Sequence, residues 1–176
     1  GTVKLQRRRE LELPVLLCRV VAGQQLSVKA AQTIWGRVVH RAGPASLVEY
    51  LAAAGPTELR ACGMSRNKAR AMKSIVEAHD SGHLDISELE SMNHSARSQR
   101  LTEIWGVGQW TADMIGISYF ADPDIWPEND VTVWKTLERL TSRRRKTTLT
   151  AARFAPNRTY LALYMWRIAD APPTTS

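Results

Sequence analysis

The most restrictive stretch of this chain runs from Ile104 to Ile115, Ile-Trp-Gly-Val-Gly-Gln-Trp-Thr-Ala-Asp-Met-Ile, where two glycines one residue apart interrupt an otherwise helical pattern. Glycine adopts positive φ at no steric cost, so Gly106 and Gly108 let the backbone reverse within a few residues. Two helices then meet in a tight hairpin. Because the second helix starts at once, its first amides, including those of Gly108, Gln109 and Trp110, lack acceptors inside the helix. With the positive end of the helix dipole behind them, they form a site for an anion such as a DNA phosphate. Gln109 and Thr111 could add side-chain donors. Taken alone, the same Gly-x-Gly also reads as a plain helix stop followed by a helix start.

The rest of the chain is punctuated as an all-α protein. Apolar residues recur at spacings of three and four, and neither an alternating stretch nor an Asn-Gly hairpin is present. The pattern predicts helices over 14–23, after Ser27 to Gly43, a short one after Pro44 and Ser46, and one to two turns from Thr57 to Gly63. Ser65 caps a longer helix closed by Gly82, followed by continuous helix from Ser87 to the glycines. Further helices are expected to Phe120, over 129–140, 150–154 and 158–169. His79, at the edge of an apolar stripe, has no catalytic partner in the pattern and reads as a packed residue. The run Arg143 to Lys146 reads by default as a solvated loop.

Composition narrows the function. A chain of 176 residues, 44% hydrophobic, can build one core or two small lobes. Lys and Arg number 24 against 17 Asp and Glu, a formal charge of +7 that favours a polyanionic partner. Two cysteines, Cys18 and Cys62, cannot make a four-thiolate metal or iron-sulfur site. The apolar run ending at Cys18 is cut by Arg19, far short of the roughly 18 to 20 residues of a membrane span. No signal peptide is apparent, so an intracellular setting, cytoplasm or nucleoid, is expected, with no membrane association and a monomeric state.

The string Leu101-x-x-Ile104-x-Gly106-Val107-Gly108-x-x-Thr111-Ala112 resembles the helix-hairpin-helix motif, in which apolar residues lock two helices around a Gly-Val-Gly turn that grips DNA backbone without reading sequence. Downstream, Trp126-Pro127-Glu128-Asn129-Asp130 places an acid near a helix start. Hairpin, helix, loop and Asp in that order resemble the helix-hairpin-helix (HhH-GPD) DNA glycosylases. Val20 to Val38 and Leu59 to Ala78 are similar to further segments of that family, closest to its alkylation-repair, 3-methyladenine branch. The resemblance implies an all-α fold of two helical lobes, about 24–130 and about 1–23 plus 131–176, with a DNA-binding cleft between them.

It also implies a chemistry. Trp110 stands where strand-cleaving relatives carry a nucleophilic lysine, and a tryptophan cannot form a Schiff base, so the expected reaction is hydrolysis of the N-glycosidic bond without lyase activity. The four-cysteine cluster of other branches is missing, and no iron-sulfur cofactor is expected. The substrate would be double-stranded DNA with a damaged base extruded from the stack. Gln24 and Gln25 are placed by the resemblance to wedge into the gap, with Leu26 as their substitute; hydrogen bonding at a helix end is the competing role.

Asp130 is the candidate catalytic carboxylate, although Asp is also a preferred N-cap. Asp113, in the first turn after the hairpin, reads as structural. Cationic bases stack well on electron-rich rings, and Trp110, Trp126 and then Tyr119 are the candidate pocket walls. Trp35, Trp134 and Trp166 read as core. Backbone carbonyls of Thr102, Ile104 and Val107 would, by the resemblance, hold a structural Na⁺ or K⁺. The chain departs from the family pattern at Trp105, where many relatives have proline, and at Asn157, where some carry an aromatic. The competing functions are a glycosylase for deaminated or mispaired bases such as uracil or hypoxanthine, and a non-catalytic helix-hairpin-helix DNA-binding module.

Overall fold

The computed structural model describes residues 1–141 and 146–171. Eleven α-helices are found there, and no strand. They are α1 (Leu13–Gly23), α2 (Val28–Ala42), α3 (Leu47–Ala53), α4 (Pro56–Ala61), α5 (Arg66–Asp80), α6 (Ile86–Ser91), α7 (His94–Thr102), α8 (Gln109–Ile115), α9 (Val131–Leu140), α10 (Thr147–Ala151) and α11 (Arg158–Asp170). A π-helical turn, Gly116–Phe120, follows α8, and a 3₁₀ turn, Ala152–Phe154, follows α10. No helix among the described residues is long and apolar enough to cross a membrane.

Some of the caps expected from sequence form, whereas Ser46 opens α3 without a side-chain cap bond and α4 starts at Pro56 rather than at Thr57. Ser27 accepts the Ala30 amide, Ser65 the Lys68 amide, and Gly43 and Gly82 take positive φ at helix ends. The single helix expected from Ser87 to the glycines is instead two. Asn93 caps α7 by accepting the Ala96 amide, and Arg97, one turn into α7, reaches back to the end of α6. Its guanidinium donates to Leu89 O at 2.8 Å and Met92 O at 2.7 Å, satisfying carbonyls that the broken helix leaves over. Arg97 is buried, and those bonds are what make its burial tolerable.

The chain divides into two compact units, Arg9–Ala112 and Gly1–Arg8 with Asp113–Ser176. These boundaries differ from the expected 23 and 130. The reason lies in α1, which buries Leu13, Val15, Leu17, Cys18, Val21 and Ala22. A helix apolar on so many sides needs neighbours, and it packs against α5 and α2. Its place is therefore the core of the unit Arg9–Ala112, where α5 contributes Ala69, Ala71, Met72, Ile75 and Val76. Each fully buried Leu, Ile, Met or Val there contributes about 1.5–3 kcal/mol.

In the other unit α9 and α11 pack together over Trp126, Val133, Leu137, Ala151, Ala162 and Met165. The amino terminus belongs to it, with the Arg8 amide donating to Ser118 O at 2.8 Å and Arg167 donating to Gly1 O at 2.7 Å. Of the run Arg143 to Lys146, only Lys146 lies within the described residues, exposed at the start of α10.

Candidate functional site

The hairpin forms between α7 and α8. Leu101, Ile104, Val107 and Ala112 are buried around the turn, and the Val107 amide donates to Ile104 O at 3.0 Å. The two glycines do different things. Gly106 has φ +86°, and a Cβ on it would lie 2.4 Å from the Cβ of Ala71 in α5. Gly106 is thus required by the protein's own packing. Gly108 does not take the positive φ expected of it, and a Cβ there would meet nothing within 4 Å. Its carbonyl accepts the Ala112 amide at 3.0 Å and so opens α8. Nothing inside the fold demands glycine at 108.

Thr111 faces inward more than the sequence suggests, and Gln109, though exposed, is tied back to α7. Thr111 is buried, and its Oγ1 accepts Gln24 Nε2 at 3.0 Å. The Gln109 side-chain carbonyl accepts the Ser98 hydroxyl at 3.1 Å, tying α8 to α7. Gln24 Nε2 also reaches Gly106 O at 3.3 Å. Of the two candidate wedge residues, Gln24 is therefore the one with the helix-end hydrogen-bonding role. Gln25 is exposed and held at φ +56°, a left-handed conformation rarely taken by a residue with a side chain. Lys68 fixes this loop from the other side. Its Nζ donates to Ala22 O and Gln24 O, both at 2.8 Å, and burial pulls its pKa down. Sequence reasoning missed Lys68; its only signal was a lysine in the first turn of α5, facing the end of the helix that α5 packs on.

Thr102, Ile104 and Val107 line one concavity of about 610 Å³ with Gln24, Trp105, Gly106 and Gly108. A second, of about 300 Å³, is bordered by Gln24, Gln25, Ser65, Asn67, Lys68 and Trp105, among others. No His, Cys, Asp and Glu cluster fit to hold a metal ion occurs among the described residues. Cys18 and Cys62 are buried free thiols. Trp110 is half-buried in the first turn of α8.

In the other unit, Asp130 is the N-cap of α9. Its Oδ1 accepts the Val133 amide at 2.9 Å, while its carbonyl accepts the Trp134 amide and opens the helix. The side chain is 9% exposed. Asp113 is buried, in keeping with a structural role.

Burial makes Trp126 and Tyr119 core rings of this unit more than open platforms. Trp126 packs on Val133, Leu137 and Met165, with its Nε1 buried and unpartnered among the described residues; Tyr119 lies edge-on to Phe120 with centroids 5.1 Å apart. Trp35 is core as expected, Trp166 is half-buried but packs against the core of its unit, and Trp134 is half-buried.

Upstream of Asp130 lies a loop whose anchoring sequence reasoning did not resolve. Asp124 accepts from Arg158 at both oxygens, 2.6 and 2.9 Å, and also from the Arg158 amide. The guanidinium holds the Asp124 carboxyl below the usual carboxylate range. Next to it, Thr159 Oγ1 donates to Asp122 O at 2.7 Å and accepts the Ile125 amide at 2.9 Å. The first turn of α11 thereby pins residues 122–125, just upstream of the cap. Asn157 precedes this anchor and makes no side-chain cap of α11.

Comparison with known proteins gives these parts a context. Residues 18–156 match the HhH-GPD superfamily base excision DNA repair protein family. DNA-3-methyladenine glycosylase 1 of Schizosaccharomyces pombe is 33% identical over 159 residues, covering 86% of this chain and 70% of that one. Against longer curated relatives the chain spans between 33% and 57% of their length. The solved structure of the S. pombe 3-methyladenine DNA glycosylase in complex with abasic DNA superposes with a TM-score of 0.82 at 29% identity, covering 99% of this chain and 90% of that one. The DNA-3-methyladenine glycosidase of Bacillus halodurans gives 0.81 at 31%, covering 96% and 80%.

Proposed function

This chain belongs to the HhH-GPD superfamily of base excision DNA repair proteins, and we propose that it is a monofunctional DNA glycosylase that releases alkylated purines of the 3-methyladenine and 7-methylguanine type from duplex DNA. The observation that carries the reading is the match along nearly the whole chain to a glycosylase solved on abasic DNA, which is the product that base release leaves.

The protein's own geometry supports each part of the task. The first-turn amides of α8, left open by the bare Cα of Gly108, seat one DNA phosphate at the positive end of the helix. The target nucleotide leaves the stack at a cost of a few kcal/mol. Gln25, pushed outward by its backbone and braced by Gln24 and Lys68, fills the gap.

An alkyl group on N3 or N7 of a purine makes the base cationic, so it departs with the C1'–N bonding pair and becomes neutral without a general acid. The sugar left behind has oxocarbenium character. The Asp130 carboxylate stabilises it and takes a proton from the water whose oxygen bonds to C1'. Free base and an abasic site result. Trp110, which offers no amine, leaves no route to a Schiff base and strand cleavage. Its half-buried ring is the best remaining candidate for stacking on the cationic base. The protein acts on DNA as a monomer in this reading.

Thr102, Ile104 and Val107 line one concavity, and backbone carbonyl oxygens are donors that suit a hard cation. Ile104 O already accepts the Val107 amide but retains a lone pair. A bound Na⁺ or K⁺ would add positive charge beneath the gripped phosphate and take no part in bond cleavage.

Release of free base from methylated duplex, compared with uracil- and hypoxanthine-containing duplexes, tests the substrate class. Asp130→Asn tests the mechanism. Base release is expected to fall on the order of 100-fold or more with folding and DNA binding retained. Unchanged release would remove Asp130 from the chemistry and leave it a helix cap.

A further inference from the structure

Trp105 is the most exposed aromatic of the hairpin, at 38%, and it borders both concavities beside the turn. What stacks on it is Arg70 of α5, whose guanidinium carbon lies 4.2 Å from the ring centroid. The close approach of Gly106 to Ala71 explains how this arises: the turn's backbone rests directly on α5, and the next residue back along the helix, Arg70, is carried over the ring.

Arg70 is exposed, and among the described residues no carboxylate is recorded as its partner. The acid nearest in sequence to the turn, Glu103, faces His83 instead, with Oε2 3.5 Å from Nε2. An aromatic face holds a guanidinium flat while leaving its N–H donors directed outward in the plane, the arrangement that meets phosphate oxygens two at a time. A carboxylate partner would have occupied those donors.

We propose that Arg70 is a DNA-phosphate ligand adjoining the hairpin, and that Trp105 is the positioning residue that keeps its fork in place. The inference rests on the DNA-repair reading above and adds to it a contact supplied by α5, outside the hairpin itself. The phosphate would be one next to that held by the α8 amides, at the rim of the concavity that Trp105 walls.

The test is binding of the full chain to a duplex carrying a stable abasic analogue, measured against salt. Each neutralised phosphate contributes about 0.9 to the slope of log K against log salt. Arg70→Gln is expected to lower the slope by about that amount, so that between about 50 and 200 mM salt the wild type loses about 3.5-fold more affinity than the variant. Trp105→Leu is expected to weaken binding in the wild-type background and to have little further effect in the Arg70→Gln background. Melting temperatures for all three variants show whether the fold is intact.

An Arg70→Gln slope equal to that of the wild type, with wild-type binding and base release present, overturns this proposal alone. An equal loss from Trp105→Leu in both backgrounds means that the ring touches DNA itself and overturns its positioning role. Absence of wild-type binding and base release overturns the DNA reading and this proposal together.

Discussion

Gln24 Nε2 donates to Thr111 Oγ1 at 3.0 Å and so joins the end of α1 to the start of α8. The bond separates the tasks of two adjacent glutamines. Gln24, half-buried, holds the loop to the hairpin, and Gln25, exposed with φ +56°, is the residue that the loop presents.

Gln24→Ala is expected to destabilise the protein by about 1 kcal/mol through loss of this bond. Gln25→Gly removes the left-handed strain and is expected to raise stability by up to about 1 kcal/mol while lowering base release. Thermal melts and base-release assays on the same preparations would show it. A Gln25→Gly protein as active as the wild type removes Gln25 from the wedge role.

The hairpin glycines should part company in the same way. Gly106→Ala drives a Cβ to 2.4 Å from Ala71 at a positive φ, and a loss of about 2 to 4 kcal/mol is expected. Gly108→Ala meets open space, so stability should change by less than about 1 kcal/mol while affinity for duplex DNA falls. Denaturant unfolding and DNA titration together decide this. Undiminished binding by Gly108→Ala would mean that no phosphate comes close to that backbone.

Asp130 serves α9 as a cap whatever else it does, and the two roles separate by substitution. Asparagine caps as well as aspartate, so Asp130→Asn should keep the wild-type melting temperature, whereas Asp130→Ala should lose about 1 kcal/mol. Both should lose base release. A parallel loss of stability and activity in both variants points to folding as the cause.

The Asp124 and Arg158 pair makes stability depend on pH. The folded pKa of Asp124 is lowered by Arg158, so its contribution is complete above the unfolded value of about 3.9 and disappears as pH falls through the lower folded value. Both side chains are about one-third exposed, which limits the pair to no more than about 1 kcal/mol. Asp124→Asn should therefore lower the melting temperature at pH 6 and make a smaller difference at about pH 3, below the unfolded value. A difference of equal size at both pH values would assign the loss to something other than this ion pair.

Much of the fold was legible in the residues. Ser27, Ser65 and Asp130 cap the helices they were expected to cap, because a cap is a bond between positions three apart and needs no tertiary information. The break at Asn93 was missed although Asn is a good cap. The surrounding apolar spacing continues through it, and what decides the break is Arg97, whose burial and carbonyl partners arise only once α6 and α7 fold against each other. Asp124 and Arg158 were missed for a related reason: 34 residues lie between them, and no periodicity links such positions.

Sequence by itself determined the all-α class, the place of the turn, the Asp after the hairpin and the family, since these depend on residue identity at short fixed spacings. Only the tertiary structure decided which glycine the fold requires and which it leaves bare. The same is true of which glutamine is bound and which is presented, and of which tryptophans are core. A lone side chain carries the same chemistry wherever the chain puts it; whether that chemistry is spent inside or offered outside depends on neighbours brought together from distant parts of the sequence.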